Sequence, residues 1–187
     1  MLRKFLGINE TEAQAAEAAA AAPAGSAAET ATVRQIVSRL ETMPPEQARY
    51  LACFAYVMSR AAQADLTVSD EETAVMERFA AQYGGLDESQ AVIVVGMAKL
   101  SAIAYGATED YVVTREFKKI STMEQRLQLI RCCFAISATD GTINAEESSA
   151  VNEIANELDI ERADLNAVRD EFHEQLSSVQ ALRQVGG

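Results

Sequence analysis

The sequence predicts an all-α fold, a bundle of about seven helices with an internal pseudo-twofold duplication. The first observation is composition, because only three of the 187 residues are proline and alanine is abundant, which favours helix over strand. The second is periodicity, because apolar residues recur at helical spacing along most of the chain. The third is a short acidic segment that occurs twice, beginning at Asp65 and again 75 residues later at Asp140.

The N-terminal residues predict a tail that precedes the bundle. Residues 1–8 are basic and apolar, and residues 10–29 are rich in alanine, with few bulky side chains to bury. A helix without a packing face is marginal in water. We therefore expect an Ala-rich tail over residues 1–29 and a helical domain over residues 30–187. Residues 1–8 are expected to make at most a weak contact with a membrane surface.

The domain is predicted to begin with two helices. The first starts near Thr30 and carries a stripe at i, i+3, i+4 and i+7, formed by Val33, Ile36, Val37 and Leu40. Pro44 and Pro45 end it, and Pro45 can be the first residue of the second helix. That second helix runs to about Ala64 and is apolar on nearly every side, which is typical of a helix surrounded by others.

The rest of the chain predicts further helices with short connections. A third helix follows Ser69 and ends at Gly84-Gly85, since glycine readily adopts the left-handed cap conformation. A fourth starts after Asp87, and a shorter one follows Thr108. A capping box at residues 121–124 opens another apolar helix that extends to about Ala138. Two more helices are expected, one after Asn144 and one after about Asp159.

The duplication extends beyond the acidic segment itself. Residues 64–72 match residues 139–147, and the helices that follow keep the same register. Four positions on one face of the first copy's helix, Met76, Phe79, Ala80 and Tyr83, correspond to Val151, Ile154, Ala155 and Leu158. Each half is therefore expected to contain a buried helix, a loop that begins with Asp and an amphipathic helix that begins with two Glu.

The repeated loop contains residues with a structural explanation and residues without one. Ser69 with Glu72, and Asn144 with Glu147, are spaced as N-cap and N3 of a capping box. Val68 and Ile143 precede these caps and are expected to fill the core. Asp65 and Asp140 instead follow apolar helices, where the helix dipole disfavours a negative charge. Either each Asp caps the loop backbone locally or it belongs to a cation site.

The loops do not fit an EF-hand calcium site. Counting from Asp140, the sixth residue is Ala145 and the twelfth is Val151, where that site requires Gly and a bidentate Glu. A metal site would therefore have to combine carboxylates across the loop or across the two halves. The candidate ligands are Asp65, Glu72, Asp140 and Glu147. Hard oxygen ligands of this kind suit calcium, magnesium or manganese.

The repeated loop resembles that of the TerB-like family, the tellurite resistance protein B group, which includes the N-terminal domain of the membrane-anchored DnaJ-like co-chaperone DjlA. The family loop is Ala-Asp-Gly-x-(Ile/Val)-(Ser/Thr)-x-x-Glu, where x is any residue. The second copy here is similar and reads Asp140-Gly141-Thr142-Ile143-Asn144-Ala145-Glu146-Glu147. The resemblance covers residues 30–182.

The resemblance implies a helical bundle, a cytoplasmic location, a part in stress response such as tellurite resistance, and acidic positions proposed to bind metal ions. The family's Asp falls on Asp65 and Asp140, and its Glu falls on Glu72 and Glu147. Leu66 stands where the family has glycine, so a left-handed turn in the first loop would cost more free energy.

Charge and cysteine content narrow the possible partners. The net charge is −12, which disfavours nucleic acid as a partner and favours cations or basic protein surfaces.

The three cysteines form no Cys-x-x-Cys motif and fall in apolar stretches, so we expect buried free thiols in a reducing cytoplasm.

The sequence favours a binding module over an enzyme. His173 is the single histidine, and the chain has no Gly-rich phosphate loop and no zinc-protease or serine-hydrolase motif. We expect a non-enzymatic acidic module that binds a divalent metal ion or serves a stress response. The alternative is a docking or scaffold module for other proteins, tethered by its N-terminal peptide, in which the loops are purely structural.

Overall fold

The computed structural model describes residues 27–61, 70–104, 110–139 and 141–185. Within these ranges the chain forms nine helices, and the all-α prediction is confirmed. They are α1 (Ala27–Glu41), α2 (Pro45–Ala61), α3 (Asp70–Gly84), α4 (Glu88–Ala104), α5 (Asp110–Ile120), α6 (Met123–Ser137), α7 (Ala145–Glu157), α8 (Arg162–Asp170) and α9 (Ser177–Val185). A 3-10 turn, His173–Gln175, lies between α8 and α9.

Two apolar helices, α2 and α6, form the centre of the bundle. These two helices pack against each other. Helix α2 is surrounded by α1, α4, α5 and α7, and helix α6 is surrounded by α3, α7 and α8. Residues 51–58 of α2 are all buried, and so are residues 132–137 of α6. The prediction that these helices are covered on nearly every side is therefore confirmed for both.

Reciprocal contacts relate the two copies of the duplicated unit. Helix α3 packs on α6, and its counterpart α7 packs on α2. The register also agrees, because Met76 and Val151 are both buried, as are Ala80 and Ala155. Each copy therefore places its amphipathic helix against the central helix of the other copy.

The helix ends follow the predicted signals with one exception. Pro45 is the first residue of α2, and α3 ends at Gly84, followed by Gly85 with a φ of 65°. The capping box expected at residues 121–124 is wrong by one position, since Thr122 is the N-cap of α6 and Gln125 completes the box. The Ser121 hydroxyl is buried and donates to the Phe117 carbonyl 2.6 Å away, so it is not available as a cap.

Two arginines link helix ends across the bundle. Arg60 at the end of α2 forms a bidentate ion pair with Glu157 at the end of α7, with N–O distances of 2.7 and 3.1 Å. The same guanidinium donates to the Thr114 hydroxyl of α5 at 2.7 Å. Arg126 donates to the carbonyls of Lys118 and Leu158, at 2.7 and 3.1 Å. The C-terminal ends of α5 and α7 are thereby held together.

Candidate functional site: the second acidic loop

The structure describes one of the four predicted ligand side chains. Glu147 lies in the first turn of α7 and is partly buried. Asp65 and Asp140 lie outside the described residues, as do Val68 and the side chain of Glu72. The grouping of these four carboxylates therefore stays a prediction, and the site can be built from the second loop, residues 138–147.

The N-terminus of α7 carries the predicted capping box. The Asn144 side-chain oxygen accepts the backbone N–H groups of Glu146 and Glu147, both at 2.9 Å. In return Oε2 of Glu147 accepts the N–H of Asn144 at 2.8 Å. These reciprocal bonds satisfy backbone donors that a helix start leaves open. They also fix the direction of the Glu147 carboxylate relative to the loop.

The loop reverses direction at a glycine. The Gly141 N–H donates to the Ala138 carbonyl at 3.0 Å, and Gly141 has a φ of 89°. Backbone in this region strains residues that carry a Cβ, whereas glycine adopts it freely. Gly141 therefore permits the tight turn between α6 and the cap of α7.

The C-terminal segment holds the loop from the other side. Ile143 and Leu176 form an isolated parallel bridge, in which the Ile143 N–H donates to the Gln175 carbonyl at 2.7 Å. The Ser177 N–H donates to the Ile143 carbonyl at 3.0 Å. The Gln180 amide of α9 donates to the Gly141 carbonyl at 3.0 Å. We call these contacts from residues 175–180 the C-terminal clamp.

This clamp was not predicted from the sequence. One helix was expected after about Asp159, where the described chain has α8, a 3-10 turn and α9. A local signal was present, because apolar residues recur every three residues at Leu176, Val179, Leu182 and Val185, but it covers only one short helix.

Ile143 anchors the loop in the core. Its side chain is 1% exposed, which confirms its predicted role as a core residue. At the end of α6, next to the loop, the Ser137 hydroxyl is buried and has no hydrogen-bond partner within the described part of the chain. The loop is therefore pinned by one apolar side chain and by backbone bonds on both sides.

The cysteines and the histidine lie in different surroundings. All three thiols are free and buried, as predicted. Burial raises the pKa of Cys53 and of Cys133 to about 12, and it raises the pKa of Cys132 as well. A thiol with such a pKa is not a thiolate at neutral pH and is a poor nucleophile. His173 lies exposed in the 3-10 turn.

The described residues contain no group of three or more His, Cys, Asp or Glu side chains arranged as metal ligands, and Asp65 and Asp140 lie outside those residues. Over the same residues, none of the helices has the length and apolar character needed to cross a membrane.

The fold and the loop define a class of helical protein. Two buried central helices are each followed by an amphipathic helix, and in the second copy a capped loop joins them. The model of the family described as tellurite resistance protein TerB matches residues 50–170, which is more than half of the chain. The chain belongs to the TerB family. Searches of curated proteins and of solved structures gave no match.

Proposed function

We propose that this TerB-family chain is a non-enzymatic module that binds a divalent cation through its two repeated loops. Asp65 and Glu72 would supply oxygen ligands from the first copy, and Asp140 and Glu147 from the second. Calcium, magnesium and manganese are the cations that such ligands suit. The overall charge of −12 favours cation association by long-range attraction.

The observation that carries the proposal is that hydrogen bonds hold the second loop from two sides. The capping box fixes the loop on the α7 side, and the C-terminal clamp fixes it at Gly141 and Ile143. Ligands that are already held in position lose little conformational entropy when they bind. A loop with this support is well suited to present its oxygens to a cation.

Glu147 can act in the cap and as a ligand at the same time. A carboxylate has two oxygens, and the bond from the Asn144 N–H uses Oε2. Oε1 is then a possible cation ligand whose direction the cap determines. This arrangement resembles metal ligands that a neighbouring hydrogen bond orients.

Calorimetry with calcium, magnesium, manganese and zinc tests the proposal. The site variant carries Asp65→Asn, Glu72→Gln, Asp140→Asn and Glu147→Gln, and glutamine at position 147 can still accept the Asn144 N–H. The control variant changes net charge equally at four exposed acids: Glu41→Gln, Glu88→Gln, Glu153→Gln and Asp164→Asn. We expect saturable heat from the wild type and the control and at least a tenfold loss of affinity, ~1.4 kcal/mol, in the site variant. Equal heat from all three proteins contradicts the proposal.

The buried free thiols support two parts of the proposal. One is the lack of enzyme activity and the other is the cytoplasmic location. Buried thiols of raised pKa do not supply a nucleophile at neutral pH. Free cysteines suit a reducing compartment. Fractionation of the producing cells tests the location, and recovery of the protein outside the cytoplasmic fraction contradicts it.

The alternative function is docking to other proteins, with loops that serve structure alone. The observation in its favour is that the capping box gives Glu147 a full structural role without any ligand. Deletion of residues 1–29 tests the tethered form of this alternative. Loss of a reproducible partner from pull-downs supports it, and an unchanged set of partners contradicts it.

A further inference from the structure

A polar cleft between α7 and α8 lies outside the proposed cation site. Its volume is 540 Å³, within the range of small-molecule sites. Its floor contains the buried side chains of Ile160 and Leu165. Its walls carry amide, hydroxyl and guanidinium groups.

The charge of this cleft is opposite to that of the chain. Arg162 and Arg169 line it, and none of the described residues that line it carries a carboxylate. On a protein of net charge −12 this is a local reversal of sign. Neither arginine forms an ion pair with a carboxylate that the structure describes.

Helical spacing explains why the two arginines share one wall. Arg162, Asn166 and Arg169 are at positions i, i+4 and i+7 of α8, which place them on one face. Asp164 and Asp170 of the same helix do not line the cleft. On α7, Ser148, Asn152 and Asn156 are spaced by four residues and form the opposite wall.

Arg169 orients two of the amides in the cleft. Its guanidinium donates to the side-chain oxygens of Asn152 and Asn166. Because each Asn amide uses its oxygen to accept from arginine, its NH₂ group is directed away from that guanidinium as a hydrogen-bond donor. The cleft thus combines two positive charges with amide donors, and both kinds of group bind oxyanions.

We propose that the cleft between α7 and α8 is a binding site for a small oxyanion ligand, one that bears a phosphate or carboxylate group. Arg162, at the exposed rim, would pair with the charge. Arg169 and the NH₂ groups of Asn152 and Asn166 would bind its oxygens, with Asn166 at the exposed side and Asn152 and Arg169 partly buried. The site needs no divalent cation, so its success or failure is independent of the function proposed above.

An NMR titration of the full chain with inorganic phosphate tests this site, with acetate as a second arm and sodium chloride to hold ionic strength constant. We expect saturable shifts of the side-chain NH₂ signals of Asn152 and Asn166 with phosphate or with acetate. The arm that saturates at lower concentration identifies a phosphoryl or a carboxylate ligand. If the shifts saturate with neither phosphate nor acetate, the proposal is contradicted.

Arginine variants locate the binding. Arg162→Gln is expected to weaken the apparent affinity by about tenfold, because a charge-assisted bond is lost at an exposed position. Arg169→Gln is expected to abolish saturation, and if that variant unfolds, Arg162→Gln alone decides. Arg34→Gln, an exposed arginine of α1, is the matched control and should bind as the wild type does. Equal affinity of Arg162→Gln and Arg34→Gln overturns the assignment.

Discussion

Gly141 shows how a single residue sets the shape of the acidic loop. Its φ is 89°, and apart from its two chain neighbours no heavy atom of the described residues lies within 4 Å of a Cβ built on it. The backbone conformation, and not a lack of space, therefore selects glycine at this position. The corresponding residue of the first copy is Leu66, which lies outside the described residues.

Replacement of Gly141 by alanine is expected to destabilise the protein by about 1 kcal/mol, because a Cβ disfavours the left-handed region. For a chain of this length the melting temperature should fall by about 2–4 °C in calorimetry. Gly141→Asn is the control, since asparagine tolerates left-handed backbone better, and it should lose less. A Gly141→Ala protein as stable as the wild type contradicts this explanation.

Substitution by alanine is expected to affect the free energy of unfolding differently at Ser137 and at Ser121. Both hydroxyls are buried, but Ser137 has no partner among the described residues, whereas Ser121 donates to Phe117. Ser137→Ala should therefore leave the free energy of unfolding unchanged or raise it, while Ser121→Ala should lower it by about 1 kcal/mol. Urea denaturation measures both. Equal losses in the two variants would show that Ser137 has a partner.

At the scale of helices and loops, local patterns predicted most elements. Helices α2, α3, α4 and α6 were predicted because their apolar spacing and their proline, glycine and capping signals are local properties of the sequence. The cap register at α6 was predicted wrongly because two overlapping boxes fit the sequence, Ser121 with Glu124 and Thr122 with Gln125, and the bond from Ser121 to the Phe117 carbonyl leaves Thr122 as the cap. Helix α9 was missed because it is short and its contacts with the loop come from distant residues.

The C-terminal clamp should control the mobility of the acidic loop. Gln180→Ala removes the side-chain bond to the Gly141 carbonyl. We expect the Ile143 amide to exchange with solvent faster, because local opening becomes easier. Native-state hydrogen exchange measures this change. Gln82→Ala, at an exposed position on α3, is the control. Unchanged protection of Ile143 in the Gln180 variant would mean that the backbone bridge alone holds the loop.

The Arg60–Glu157 pair should make stability depend on pH. Burial by itself raises the pKa of Glu157, but hydrogen bonds from Arg60 and Thr114 outweigh it and lower the pKa below 4.5. A carboxylate with a lowered pKa in the folded state stabilises the protein above the pKa of the unfolded chain. That contribution is lost as pH falls through the folded value.

Thermal melts of the wild type and Glu157→Gln measure this contribution. The wild type is expected to be the more stable protein at neutral pH, and the difference should shrink as pH falls below about 4.5. In an Arg60→Met background the pH-dependent part of the difference should become smaller. A difference that stays constant across this pH range would show that the ion pair contributes no charge-dependent stability.

At the scale of the whole molecule, the duplication explains the arrangement of the bundle. Each amphipathic helix packs on the central helix of the other copy, so the two copies share one core. The sequence predicted the duplication, because the matched apolar positions keep register across 75 residues, but it did not predict which central helix each amphipathic helix packs on. It predicted the cap at Glu147 because the spacing from N-cap to N3 is local. The cleft between α7 and α8 depends on how two helices approach each other, and no local pattern encodes that.

Manganese-induced broadening of backbone amide signals tests most directly whether the two repeated loops bind a divalent cation. Paramagnetic manganese broadens the signals of nearby nuclei, so it locates the ion on the intact chain. We predict that substoichiometric manganese broadens residues 64–72 and 139–147 first, that calcium or magnesium reverses the effect, and that the Asp65→Asn, Asp140→Asn variant loses it. Broadening spread over exposed acids such as Glu88 and Glu161, or retained in that variant, would contradict the account.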